Sequence, residues 1–282
     1  MQTSGLSTAK AKDGKETFPK RCFVQWFQEG VIPGDYQGVV AEMKSRGVPV
    51  TMKTTEDILA KPLPLTQHDL VVGNFDWTHI ATKQLGCTVT PPDYPKCIEH
   101  LLHRKIWQST LGEVQAFLKS KERKVEQVFI KPAESAKVFA AIIEPKDQMI
   151  DALIAGVPGV MPGLAKSTPV HCAEVVKMLS EYRAYVVEGE IRQVCHYIGK
   201  KEVKLDMEVV KKAVNTLCKS EEGKHLRGFG IDFAVLEKDG KRVTCLIEVN
   251  DGFSLGKYEG LSGKDYTDLL VARWAELVRG RK

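Results

Sequence analysis

No stretch of the 282-residue sequence comes near the roughly 20 consecutive apolar residues of a membrane helix, which excludes a helical span. The opening residues 1–17, MQTSGLSTAKAKDGKET, lack the apolar centre of a secretory signal; they read as a flexible Lys-rich tail, and the expectation is a cytoplasmic protein. Seven cysteines, an odd number, are scattered with no pair at metal-finger spacing, so neither a disulfide framework nor a zinc finger is expected and the thiols read as reduced. There is no GxxxxGK[ST] phosphate loop, no GxGxxG after the first strand, no HExxH and no GxSxG elbow. His100 and His103 read as positions on a helix face, and Trp26, Trp77, Trp107 and Trp274 as packing residues rather than a base-stacking platform. The basic excess, 41 against 36 acidic residues, is too small to argue for nucleic acid but suits an anionic ligand.

What is present describes a globular chain long enough for two or three packed lobes. RCFVQWF, VPVTM and HDLVVGNF read as strands and YQGVVAEMKSRG as a helix, which predicts a small parallel α/β lobe over residues 18–104. Proline punctuation in PPDYPKC, near residues 91–105, marks a lobe boundary, and helical patterns are expected after it. VEQVFIKP and AKVFAAII form an expected antiparallel pair in a central lobe, residues 105–173. A C-terminal lobe, residues 174–282, follows: a connector, a hairpin about Glu188-Gly189, the amphipathic helix DMEVVKKAVNTLCKS, a second hairpin, and a closing helix.

That second hairpin, GFGIDFAVLEKDGKRVTCLIEVN, carries the most chemistry. Glu248 and Asn250, two apart, share a strand face, and Asp232 lies on the facing strand. A two-residue Asp239-Gly240 turn in regular register sets Asp232 opposite Ile247; a three-residue loop or a bulge sets it opposite Glu248 and joins the acids. Converging Asp, Glu and Asn oxygens suit Mg²⁺, which takes its remaining ligands from phosphates and water. Lys131 ends an apolar strand and Lys137 follows across a short connection; beside a metal the two ammonium groups could hold a polyphosphate, whereas each alone reads as a solvated lysine. Glu181 and Arg183 alternate onto one strand face, either as a surface ion pair or as partners for a ribose hydroxyl and a phosphate.

Taken in order, FIKP, AKVF, AEVVKMLSEYR, GIDFAV and LIEVNDGFSLG resemble the ATP-grasp superfamily, most closely its compact clade named for one arginine and two lysines, over roughly residues 105–260. The resemblance implies two α+β lobes clasping ATP, preceded by the small parallel α/β lobe. It implies adenine against Glu174, Val176 and Lys177, ribose at Glu181, phosphates at Lys131 and Lys137, and one or two Mg²⁺, or Mn²⁺ instead, on Asp232, Glu248 and Asn250. One departure is KPAESAKVFAA, which has no glycine where the triphosphate-covering loop of this superfamily is often glycine-rich.

The chemistry so implied is ATP-dependent joining of a small-molecule or peptide carboxylate to an amine, or to a thiol, through an acylphosphate, with release of ADP. Arg183 and Lys137 are the catalytic candidates. Phosphotransfer to a stable acceptor at the same site, or nucleotide binding without turnover, are the alternatives. Ser254, Lys257 and Tyr258 are expected either to border the acceptor pocket or to lie on a loop surface. Membrane and nucleic-acid partners are not expected.

Overall fold

The computed structural model describes residues 18–279, apart from 88, 90, 121–125, 134–138, 145–147 and 157–161. Three sheets meet. The first is parallel, in the order β2-β1-β3, from β1 (Arg21–Gln25), β2 (Val50–Lys53) and β3 (Asp69–Val72). Every residue of β3, and all but the first of β1, is buried, as parallel strands covered on both faces require. The connecting helices are α1 (Gly34–Ser45) and α2 (Thr55–Ala60), with α3 (Phe75–Gln84) after β3. The sequence reading missed α2 and α3. Both are short and start from side-chain caps: Thr54 and Asp57 form a reciprocal capping box, and Asn74 accepts from the Trp77 N–H. The buried Gln25 side chain joins them, accepting from the Asn74 N–H at 2.8 Å and donating to Thr55 Oγ1 at 3.2 Å.

The second sheet is antiparallel, in the order β4-β7-β5-β6, from β4 (Ile106–Thr110), β5 (Val128–Pro132), β6 (Ala141–Ile143) and β7 (Pro169–Glu174). The helices α4 (Leu111–Lys119) and α5 (Met149–Ala155) share its core. The helical pattern expected after the prolines holds first as a 3₁₀ helix over Lys96–Leu101. It is then interrupted: IWQST is a strand, rich in residues that fit a pleated surface, and the α-helix begins at Leu111, where Thr110 and Glu113 cap it.

The third sheet is also antiparallel, in the order β11-β10-β8-β9. Its strands are β8 (Met178–Val187), β9 (Glu190–Gly199), β10 (Gly228–Lys238) and β11 (Lys241–Asp251). One face, with Phe229, Ile231 and Phe233, packs on α6 (Met207–Lys219). The last helix, α7 (Gly263–Arg279), shares a core with the first sheet: Tyr266, Leu269, Leu270 and Trp274 cluster with Val39 and Met43 of α1. It crosses α1 at a glycine pair, where a Cβ on Gly38 would stand 3.0 Å from Gly263 Cα. Among the described residues, no helix is long and apolar enough to cross a membrane.

Candidate functional site

The face of the third sheet away from α6 carries the acids. The β10–β11 turn is a two-residue loop: Lys238 pairs with Lys241, and Asp239 and Gly240 both take positive φ, 51° and 71°. Regular pairing from that turn would set Asp232 against Ile247. Instead the register shifts between Asp232 and Phe233, and Asp232 pairs with Glu248. Turn and bulge, alternatives in the sequence, occur together. Ile247 and Glu248 therefore both face the site side, Ile247 packing with Ala234 and Leu236 while Glu248 joins Asp232.

Arg183 of β8 is the opposite cross-strand partner of Asp232, so arginine, aspartate and glutamate form one row over three strands. Arg183 Nε and Nη2 each donate to one Asp232 oxygen at 2.7 Å, a buried bidentate pair. Burial opposes the charged guanidinium, but Asp232 outweighs it and raises the Arg183 pKa. Asn250 Nδ2 donates to Asp232 Oδ2 at 3.1 Å, which leaves the amide oxygen as its ligand-type end. Gly230, one row on, makes room for this arginine: a Cβ there would meet Leu255 Cδ2 at 2.7 Å and Arg183 Cδ at 3.1 Å. The guanidinium lies 4.9 Å over the Tyr258 ring, Tyr258 stacks on Tyr197 at 4.5 Å, and the Tyr197 hydroxyl donates to Glu181 Oε2 at 3.0 Å. Burial, with Asp232 and Glu248 nearby, raises the Glu181 carboxyl despite that hydrogen bond.

Lys131, at the end of β5, faces this row from the second sheet. Its ammonium donates to Glu248 Oε2 at 2.6 Å and to Asp93 Oδ1 at 2.5 Å, and lies 4.5 Å from the centre of the Tyr94 ring. Burial disfavours the charge, but Glu248 and the other neighbours outweigh it and push the lysine pKa up. The other Asp93 oxygen lies 3.4 Å from Nε2 of His171, the cross-strand partner of Lys131. Burial raises the Asp93 carboxyl, yet His171 and Lys131 hold it below the usual aspartate range.

Lys131, Glu248, Asn250 and Asp93 line a cavity of ≈ 340 Å³ together with Phe75 of the first lobe and Phe129 of β5. Of the residues singled out from the sequence, Lys131, Arg183, Asp232, Glu248 and Asn250 are brought together, with Glu181 tied in through the tyrosines. Lys137 lies outside the described residues. Glu174 is exposed and accepts from the Lys105 N–H at 2.8 Å, while Val176 and Lys177 line a second hollow with His103 and Lys238 that shares no lining residue with the first. Ser254 borders the first cavity and donates to the Gly73 carbonyl at 3.1 Å.

Sequence reasoning missed Asp93 and Arg104. Asp93 sits among prolines whose local signal is that of a boundary. Arg104 donates to the carbonyls of Leu246 at 2.7 Å and Ile247 at 2.8 Å, closing the bulge on the outer edge of β11. No sequence signal distinguishes it from an ordinary surface arginine.

Residues 101–269, more than half of the chain, match the model of an ATP-grasp domain, the second family of the clade named for one arginine and two lysines. The chain belongs to this ATP-grasp family. Solved structures resemble it over nearly their whole length at low identity. A RimK domain ATP-grasp protein from Sphaerobacter thermophilus is 13% identical, with 92% of this chain and 100% of that one covered at a TM-score of 0.50. The macrocyclase MdnC from Microcystis aeruginosa, bound with precursor peptide MdnA, is 13% identical over 89% and 99% at 0.50. A D-alanine–D-alanine ligase from Bacillus anthracis complexed with ATP is 13% identical over 93% and 99% at 0.48. No curated protein sequence matches significantly. The fold is the ATP-grasp fold, with an N-terminal parallel α/β sheet and two antiparallel sheets.

A divalent cation of the kind ATP-grasp enzymes use has to fit the donors present. Among the described residues no three His, Cys, Asp or Glu side chains gather to hold a metal by themselves, so Asn250 would join Asp232 and Glu248 as a ligand, with water or substrate oxygens in the remaining positions. The hard oxygen donors suit Mg²⁺. Asp93, Glu181, Asp232 and Glu248 stand here against Lys131, Arg183 and Arg104, and the raised Glu181 carboxyl owes most to burial and less to the neighbouring Asp232 and Glu248.

Proposed function

We propose that this ATP-grasp protein is an ADP-forming ligase that joins a carboxylate to an amine through an acylphosphate. The observation that carries the reading is the row Arg183–Asp232–Glu248, completed by Asn250 and faced by Lys131 at a cavity between lobes. It combines oxygen donors for a metal with fixed cations for phosphate, and no nucleophilic side chain is needed.

In this reading ATP is a co-substrate. Glu174, Val176 and Lys177 meet its adenine edge, Glu181 its ribose, and Lys131 and Lys137 its phosphates. Asp232, Glu248 and Asn250 hold one or two Mg²⁺, which when bound neutralise charge on the phosphoryl oxygens. The acceptor carboxylate attacks the γ-phosphorus, the bond to the β-bridging oxygen breaks, and ADP leaves. The amine then attacks the acyl carbon and expels phosphate. Arg183, fixed by Asp232 and backed by Tyr258, presents its remaining N–H groups to the oxyanion that forms on that carbon. A peptide is one acceptor class to try, because MdnC is bound with a precursor peptide.

Two assays test this. An unreactive ATP analogue should raise the unfolding temperature in a Mg²⁺-dependent way that Lys131→Ala abolishes. With ATP, ADP release should then require both an acid and an amine and give a product equal to their summed mass less one water. A phosphorylated single acceptor would replace ligation by phosphotransfer, and nucleotide binding with no ADP formation from any acid and amine pair would leave a binding module.

A further inference from the structure

The Lys131 ammonium is shared by two carboxylates from distant parts of the chain, at 2.5 Å from Asp93 and 2.6 Å from Glu248. In the proposed reaction Glu248 has another use. A divalent cation on its carboxylate and a lysine at 2.6 Å compete for the same negative charge, and with its side chain only 12% exposed the ammonium is held better by a second carboxylate than by water alone.

Asp93 is built to receive it. Its second oxygen faces His171 at 3.4 Å, which fixes the carboxylate plane. Its carbonyl accepts from the Val249 N–H at 2.8 Å, so the residue is fastened to the strand that carries Glu248. Pro91, Pro92 and Pro95 stiffen the segment around it, and the Tyr94 ring supports the ammonium from the side.

We propose that Asp93 is a positioning residue for Lys131: it is the counter-ion that retains the ammonium in the cavity when Glu248 turns to a divalent cation, and so weakens the lysine's competition for that carboxylate. This rests on the reading above in taking Glu248 as a cation ligand. No new contact is required, because the lysine already touches both acids and shifts its share from one to the other.

The test is a titration of the full chain with Mn²⁺ alone, followed by electron paramagnetic resonance, in the wild type, Asp93→Asn, Lys131→Met and the double variant. Asparagine tolerates the φ of 41° at position 93. Thermal unfolding without metal checks that each variant folds, with Asp93→Ser in reserve. Lys131→Met should bind Mn²⁺ about fivefold or more tightly than wild type and Asp93→Asn correspondingly more weakly, with the Asp93→Asn effect vanishing in the Lys131→Met background. A merely structural role for Asp93 would not depend on Lys131. Equal weakening in both backgrounds would mean that Asp93 acts on the cation directly and would overturn the proposal, as would unchanged binding in either single variant or no Mn²⁺ binding in any of the four. Failure of the ligase reading is scored separately, by ADP release with acid and amine, and leaves the outcome of this cycle standing.

Discussion

Asp232 faces Glu248 across the β10–β11 ladder because one residue, Ile247, is extra on β11. A one-residue change of register exchanges the faces of a strand, so without the bulge the site would present an isoleucine where it presents a carboxylate. β11 is an edge strand, and Arg104 donates to the Leu246 and Ile247 carbonyls on its open side.

Arg104→Met should therefore reduce stability by about 1–3 kcal/mol, the cost of carbonyls losing charged donors, and should also weaken Mg²⁺-dependent nucleotide binding. Arg104→Lys should restore less than the wild-type value, since an ammonium lacks the planar fork that spans two carbonyls. Urea unfolding and the nucleotide thermal shift, measured on both variants, check this. Unchanged binding in Arg104→Met would show that the bulge is fixed without the arginine.

Glu248→Ala should abolish the proposed ligase turnover while leaving the protein folded. Glu248 is partly exposed and its removal leaves Lys131 paired with Asp93, so no charge is stranded. Circular dichroism together with ADP release separates loss of chemistry from loss of fold, and full activity in this variant would remove Glu248 from the site.

Asp69 supplies a pH-dependent term at the edge of the first sheet. Burial pushes its carboxyl up, but Arg21 Nε and Nη2 at 2.8 Å, with the Thr66 N–H and hydroxyl, outweigh burial and depress the pKa. A depressed carboxylate contributes its full stability above the unfolded value, about pH 3.9, and loses it as pH falls through the lower folded value. Asp69→Asn should cost about 2–3 kcal/mol at pH 7, with the difference from wild type shrinking below about pH 4. Urea unfolding of both proteins over that range is the measurement, and a constant difference would contradict the assignment.

Gly38→Ala should destabilise the docking of α1 on α7, because its methyl group would stand 3.0 Å from Gly263 Cα, a backbone atom that moves only with its helix. The expected loss is about 1–3 kcal/mol, read from thermal or urea unfolding, with nucleotide binding little changed at temperatures where the variant is folded. A neutral outcome would show that the two helices separate easily.

Much of the architecture was readable because its signals are local. Alternating strands, an amphipathic α6, turn residues at Glu188-Gly189 and Asp239-Gly240, and a Gly-terminated α1 pattern all act within a few residues. The misses were elements whose local signal is weak: α2, α3 and α5, six, ten and seven residues long, β4, whose five residues precede a helix directly, and β7, whose six residues read as a connector. Asp93 was passed over because its partners Lys131, His171 and Val249 are all more than 30 positions away.

The sequence by itself determined which residue types the site could use: the spacing of Glu248 and Asn250 on one strand, an aspartate on the facing strand, and Lys131 at the end of an apolar strand. It also carried the order of motifs by which the ATP-grasp family is identified. Tertiary structure alone decided the register that sets Asp232 against Glu248, the pairing of Arg183 with Asp232, and the sharing of Lys131 between Asp93 and Glu248. The physical reason is range. Side-chain alternation is imposed by the chain's own geometry, whereas a bulge and a buried counter-ion depend on groups such as Arg104 and Asp93, which only folding brings to the strand.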